Sequence, residues 1–215
     1  MAHIYIPIID NGMGLSRTRW AKCMFDAAIG GAFAGHTISS GHLSYPYPSA
    51  ACNIVGNAFL KSGADELFLV DTDVIFTPDD IRMLFSHDVP YVGGVLPKRC
   101  LGLHIAVFPY EPFAPDPHAE GVNPLIDADC GRGFVRIHRS VFELIKDHVP
   151  TYTDEQEKNG IGEERFEFFS SKPGGHSEDF AFCELYRKLG GSPVVDQRIV
   201  LKHEGSAVYP IPGTY

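Results

Sequence analysis

The sequence predicts an α/β fold in which a mostly parallel sheet carries helices on both faces, followed by a smaller α+β half. Three observations predict it. Apolar runs such as "HIYIPII", "ELFLV" and "VPYVGGVLP" are continuous rather than alternating, as in strands buried on both faces. Stretches of helical periodicity separate them, giving β-α-β-α-β-α-β up to residue 97. Beyond residue 97, short strands and Pro- and Gly-rich turns take over. No internal repeat, low-complexity tract or linker interrupts the chain, so residues 1–215 read as a single domain.

The elements follow in order. "HIYIPII" is the first strand, and Ser16 is placed to cap a helix through "RTRWAKCMFDAAIGGAF" that the glycines at 30, 31 and 35 end. "HTISS" is a second strand. "PSAACNIVGNAFLKSGA" is a helix with Ala51, Ile54, Val55, Ala58 and Phe59 on one face and Gly63 as its stop. "ELFLV" runs as a strand up to Asp71. In "TPDDIRMLFSH", Thr77 is an N-cap, Pro78 occupies the first turn, and Asp79 and Asp80 oppose the helix dipole. "VPYVGGVLP" is the next strand. "LHIAVF", "PLIDA" and "GFVRIHR" are short strands, and "SVFELIKDHV" is a helix. Residues 150–176 are polar with an aromatic cluster at Phe166, Phe168 and Phe169, and read as a ligand-ordered loop, a candidate lid. "SEDFAFCELYRKLGG" is a helix with Ser177 as N-cap, and "PVVD" and "RIVLKH" are two closing strands.

Composition narrows the function. Net charge is −9, which offers no general attraction to nucleic acid or anionic membrane, although Lys98, Arg99, Arg132, Arg136 and Arg139 could form a local basic patch. No window holds the roughly 20 apolar residues of a membrane span. "MAHIYIPIID" has no basic leader, so a cytoplasmic protein is expected. Cys23, Cys52, Cys100, Cys130 and Cys183 are odd in number and lack a C-x-x-C, which fits reduced thiols better than a disulfide frame or a zinc site.

"LFLVDTDVIF" sets Asp71 and Asp73 one residue apart in an apolar run at the carboxyl end of a strand, where open parallel sheets present their ligand crevice. At positions i and i+2 the two share a face, provided the strand persists past Asp71. Such a pair fits a hard divalent ion that in turn holds a diphosphate; an exposed turn is the plainer reading.

The stretch "ELFLVDTDVIFTPDDIRMLFSHDVPYVGGVLPKR" resembles the D-x-D region of the GT-A nucleotide-sugar glycosyltransferases. The likeness continues in "GRGFVRIHRSVFELI", "SEDFAFCELYRKLGG" and "VDQRIVLKHEG", in the same order over most of residues 50 to 205. The resemblance implies a Rossmann-like GT-A fold, with residues 1–97 as the nucleotide-binding half and 98–215 as the acceptor-side half. It implies Asp71, Asp73 and His203 around manganese or magnesium, with Asp71 near the ribose or a metal-bound water. It places Pro7, Ile8, Asp10 and Asn53 at the nucleotide, and Gly131 and Gly133 where backbone approaches sugar or acceptor. An acid of the Glu178–Asp179 pair would act as general base in an inverting enzyme, with Asp179 preferred; dipole-complementing acids in a first turn are the competing reading. Lys202 and Arg132 are candidate phosphate contacts. Similar enzymes carry A-R-N where this chain has "AACN", so Cys52 replaces an arginine. A UDP-sugar donor is the expectation, yet that departure leaves the nucleotide open.

The resemblance extends to short transferases of bacteriophages and bacteria, some of which modify DNA bases. A modified DNA base is therefore one acceptor, alongside glycans and small molecules, and a phage-encoded chain would work in the host cytoplasm. Two alternatives remain. A haloacid dehalogenase-like phosphatase would use Asp71 as nucleophile, Asp73 as acid/base and magnesium, but its motif belongs on a first strand and only Asp196 offers a later acid. A non-catalytic sugar-nucleotide-binding module would not need the acid at 179.

Overall fold

The computed structural model describes residues 1–10, 18–45, 47–98, 105–110, 115, 124–153, 163–171, 175–204 and 208–209. The first half runs β1 (His3–Asp10), α1 (Thr18–Ile29), β2 (Thr37–Ser44), α2 (Pro48–Ser62), β3 (Glu66–Val70), β4 (Val74–Ile75), α3 (Pro78–Ser86) and β5 (Tyr91–Val95). The second half supplies β6 (Val107–Pro109), β7 (Leu125–Cys130), β8 (Phe134–His138), α4 (Arg139–Ile145), β9 (Thr151–Thr153), β10 (Glu164–Phe166) and α5 (Glu178–Lys188). It closes with β11 (Val194–Val200), β12 (Lys202–Glu204) and β13 (Val208–Tyr209). Ser16, the expected cap of α1, lies outside the described residues.

Eight strands form one sheet in the order β2-β1-β3-β8-β5-β11-β7-β6. Only β8 and β7 run against the other six, so the sheet is mostly parallel as expected. Alternation along β3 splits the core in two. Leu67 and Leu69 face a layer built with α2, α4 and α5, whereas Phe68 and Val70 face one built with α1 and α3. Helices therefore cover both faces. Where the sequence suggested β3 and β5 as successive strands of one run, β8 inserts antiparallel between them. Arg136 on β8 bonds buried Glu66 at 2.9 Å and donates to the carbonyls of His87 and Val89, so the charge at the start of β3 is met across the sheet.

β1 pairs with β3 only at Ile4↔Glu66 and Tyr5↔Leu67 and then diverges. Pro7, which has no N–H to donate, sits in the stretch that β3 no longer pairs. The gap opens at the carboxyl ends of β1 and β3, the usual crevice of an open α/β sheet.

Local signals explain the helix ends. Thr77 and Asp80 form a reciprocal capping box at α3: the Asp80 amide donates to Thr77 Oγ1, and the Thr77 amide donates to Asp80 Oδ2. Gly63 ends α2 with φ 71°, a left-handed conformation. The buried face of α2 departs from the expected one. Ile54 and Ala58 are only half-buried, whereas Cys52, Asn53, Gly56 and Asn57 are buried along with Ala51, Val55 and Phe59.

The cause lies in the segment expected to be a lid. Residues 154–162 and 172–174 fall outside the described residues, but within 163–171 Phe168 and Phe169 pack into the core. Phe168 and Phe169 are 3% and 2% exposed and meet Phe142 and Phe182. The 163–171 stretch is thus a built-in layer over α2, and β10 pairs back onto β9. "PVVD" and "RIVLKH" also differ from expectation: most of the first and residues 198–200 of the second form one strand, β11, with an irregularity after Asp196, and Lys202 and His203 belong to β12.

Candidate active site

β3 ends at Val70. The Asp71 carbonyl then accepts from the Val74 amide at 3.0 Å, closing a turn, and the Asp71 amide donates to Gly133 at 3.0 Å. The strand therefore does not persist past Asp71, and the two aspartates take different partners. Asp71 faces the β7–β8 turn, where Arg132 Nη1 reaches its Oδ1 at 3.3 Å. Asp73 faces the far end of the chain.

What brings that end close is the short ladder between β4 and β12. His203 pairs with Val74, and the Glu204 amide donates to the Asp73 carbonyl at 2.7 Å. His203 Nε2 then lies 3.2 Å from Asp73 Oδ1, and its Nδ1 lies 2.9 Å from the Pro97 carbonyl. That carbonyl can only accept, so Nδ1 carries a proton. Nε2 therefore meets the carboxylate either as an imidazolium or with a lone pair across a shared cation. A carbonyl that orients a histidine is the outer-shell partner a ligating imidazole takes. A carboxylate oxygen beside an imidazole nitrogen suits manganese better than magnesium, and an ion held by few protein ligands completes its shell with water and substrate phosphate. Among the described residues no group of three or more His, Cys, Asp or Glu stands at ligand spacing. Asp71 is not brought to the Asp73–His203 pair in that way, so the protein side of the fit is two ligands.

The second constellation is built on two glycines. The turn Gly131-Arg132-Gly133 passes between Asp179 and Asp71: a Cβ at Gly131 would lie 3.1 Å from Asp179 Oδ2, and one at Gly133 would lie 2.5 Å from Leu96 Cδ2 and 3.3 Å from Asp71 Oδ2. A side chain at either place would crowd these neighbours and make them shift. Arg132 is thereby held between Asp71 and Glu178, with Nη2 3.6 Å from Glu178 Oε1. Burial works against its charge, but Asp71, Glu178 and Asp179 outweigh that and keep its pKa above the ordinary value. Its Nε is buried without a hydrogen-bond partner among the described residues. Burial pushes the neighbouring Cys52 thiol up to about 12, with Arg132 opposing and the three acids adding. Cys52 is therefore a neutral thiol, and the guanidinium near it is that of Arg132 on the β7–β8 turn.

Ser177 stands at the cap position of α5, but its hydroxyl donates to Asp179 Oδ1 and accepts from no helix amide. The Phe180 amide donates to the same oxygen at 2.9 Å. Both donors fix the carboxylate so that Oδ2 turns towards Gly131.

The remaining expected residues are more dispersed. Asn53 has both amide atoms engaged by the Phe169 backbone. Pro7 is buried and Ile8 packs against the α1–α3 layer. Asp10 is the last residue of β1, and Lys202 is exposed opposite Ile75. The expected basic patch does not form on the described surface. Arg136 is 5% exposed and bonded to Glu66, Arg139 donates to the carbonyls of Phe59, Leu60 and Ala64, and Arg132 faces acids. Arg99 lies outside the described residues, and Lys98 alone is exposed. Among the described residues no helix is long and apolar enough to cross a membrane.

No protein-family model matches the chain, and no curated protein does. Among solved structures, A197 from STIV is similar in fold at a TM-score of 0.56 and 15% identity, covering 95% of this chain and 86% of its own. A glycosyltransferase involved in the glycosylation of the major capsid of PBCV-1 is similar at a TM-score of 0.37 and 10% identity, over 67% of this chain and 64% of its own. GalNAc-T7 with UDP, GalNAc and Mn2+ is similar at a TM-score of 0.49 and 12% identity, over 99% of this chain. This chain spans only 45% of GalNAc-T7.

Proposed function

We propose that the chain is a metal-dependent glycosyltransferase that moves a sugar from a nucleotide-diphosphate sugar to an acceptor hydroxyl. The observation that carries this reading is the Asp73–His203 pair, oriented by Pro97 beside a crevice of acids that Arg132 partly neutralises. The order of the sequence blocks supports it.

A divalent ion held by Asp73 and His203 would supply charge neutralisation at the diphosphate as it leaves. The chain's own residues do the rest. Arg132 sits between Asp71 and Glu178 and offsets part of the negative charge a diphosphate would meet there. Gly131 and Gly133 keep that wall flat, so backbone approaches the sugar. Asp179 receives the acceptor proton at Oδ2 while Ser177 and Phe180 hold Oδ1 in an inverting transfer. No observation favours the phosphatase alternative, since Asp71 and Asp73 turn to different partners.

The test is a thermal-shift panel of nucleoside diphosphates and nucleotide sugars with and without manganese. Stabilisation grows with ligand concentration over dissociation constant, so the true donor raises Tm only when the ion is present. Asp73→Ala and His203→Ala abolish that increment. Nucleotide binding that survives both substitutions and chelator overturns the reading.

A further inference from the structure

Aromatic side chains stand together on the surface beside Asp179. Phe108 and Tyr110, 53% and 63% exposed, lie on and just after the edge strand β6. The Phe108 ring meets Phe180 at 5.3 Å and His176 at 5.9 Å, both edge-on. With Asp129 and Glu184 they line a shallow cavity of about 240 Å³. Its floor is fixed: Asp129 accepts from the Tyr110 hydroxyl at 2.9 Å and from Arg187 Nε at 2.6 Å, and the Arg187 guanidinium lies over the Tyr110 ring at 4.3 Å.

The cavity wall adjoins the candidate base along the chain. Phe180 follows Asp179 on α5. Ala106, just before β6, accepts from the Gly131 amide at 2.9 Å, and Gly131 is the residue that Asp179 Oδ2 lies against. Ala106 and Gly131 thus link the strand that carries Phe108 to that carboxylate.

We propose that this platform is the acceptor subsite and that its occupant is a neutral saccharide. A sugar ring offers an apolar C–H face and a rim of hydroxyl donors. Exposed aromatic surfaces cover the first, and carboxylate oxygens, each with more than one lone pair, accept from the second. Charge decides against a polyanion. Binding a phosphate backbone calls for lysines and arginines that contact the phosphates. Here Arg187 is divided between Asp127, Asp129 and the Tyr110 ring, and Lys188 pairs with Glu184 at 2.7 Å. The role as acceptor site rests on the transferase reading; the binding of saccharide does not.

The experiment uses the full chain without donor on an array of neutral di- to tetrasaccharides carried on aliphatic linkers, followed by calorimetry of the ligands retained. At least one neutral saccharide binds, Phe108→Ala and Tyr110→Ala each weaken it ten-fold or more, and Phe25→Ala, an equally exposed ring on α1, leaves it unchanged. Absence of saccharide binding overturns the proposal, as does binding indifferent to both substitutions, or preferential capture of single-stranded DNA or peptide through Phe108. Because no donor is present, a chain that binds saccharide through Phe108 but shows no metal-dependent nucleotide binding would sink the transferase reading alone.

Discussion

His87 Nε2 lies 2.8 Å from Oδ2 of Asp196, 109 residues away, and the Asp196 side chain has no exposed surface. Arg198 adds its amide at 2.9 Å and its guanidinium at 3.0 and 2.7 Å. Burial alone would raise this carboxyl, but bonds from His87 and Arg198 outweigh it and hold the pKa at about 2 against an ordinary 3.8.

A group whose pKa is depressed by folding stabilises the fold above its unfolded pKa and loses that contribution as pH falls through the folded one. The Asp196 contribution, about 2 kcal/mol, is complete above about pH 4 and disappears towards pH 2. Urea unfolding of the wild type and Asp196→Asn across that range should show the gap between them narrowing by this amount on acidification. A constant gap would show that the carboxylate is not ionised against its partners.

Asn53 and Phe169 exchange two hydrogen bonds, 2.9 Å from the side-chain amide and 2.7 Å from the backbone amide, and Asn57 repeats the pattern with Phe166 at 2.8 and 2.9 Å. Two side chains one helical turn apart thus pair with a backbone as a strand would. Replacing either with alanine leaves buried backbone groups unpaired, a cost of about 1–3 kcal/mol. Asn53→Ala and Asn57→Ala should each lower the unfolding midpoint and raise proteolysis within 163–171. Unchanged protection there would mean that the Phe168–Phe169 packing holds the segment alone.

These cases mark what the sequence carried. Strands buried on both faces advertise themselves as unbroken apolar runs, so β1, β3 and β5 were legible, as was α3 from its Thr77–Asp80 cap. Insertion of β8 between β3 and β5 was not, because pairing across 70 residues leaves no local periodicity. The 163–171 segment reads as loop since its backbone partners are the side-chain amides of Asn53 and Asn57; two asparagines four apart in an apolar helix were the cue. Asp71 and Asp73 diverge because a turn, invisible in an i, i+2 pattern, follows Val70. Arg132 looks solvent-directed in isolation, and only its flanking glycines hint that it threads between acids.

Arg132 sits between Asp71 and Glu178 with Asp179 nearby, so its removal strips several carboxylates of their shared cation. Arg132→Ala should destabilise the chain by about 1–3 kcal/mol, less than the loss of a fully buried pair because Asp71 is 35% exposed. Adding Glu178→Gln to that variant removes one of the repelling charges and should recover part of the loss. A double-mutant cycle in urea measures the coupling; strict additivity would show that Arg132 and Glu178 do not interact.

Asp179 and Glu178 are neighbours on α5 with different surroundings, and the proposed roles rest on that difference. Glu178 is engaged by the Arg132 guanidinium, with Nη2 3.6 Å from its Oε1, so its carboxylate serves to hold that cation. Asp179 has Oδ1 held by Ser177 and Phe180, with Oδ2 turned to Gly131 beside the aromatic cavity. A positioned base contributes about 10²–10⁴-fold to rate, so Asp179→Asn should reduce kcat by that order with donor KM little changed. Glu178→Gln should act mainly through donor binding, by loosening Arg132. Steady-state kinetics with the donor found by thermal shift separates the two; a larger kcat loss at Glu178 than at Asp179 would reverse the assignment and place the base on the Arg132 side of the crevice.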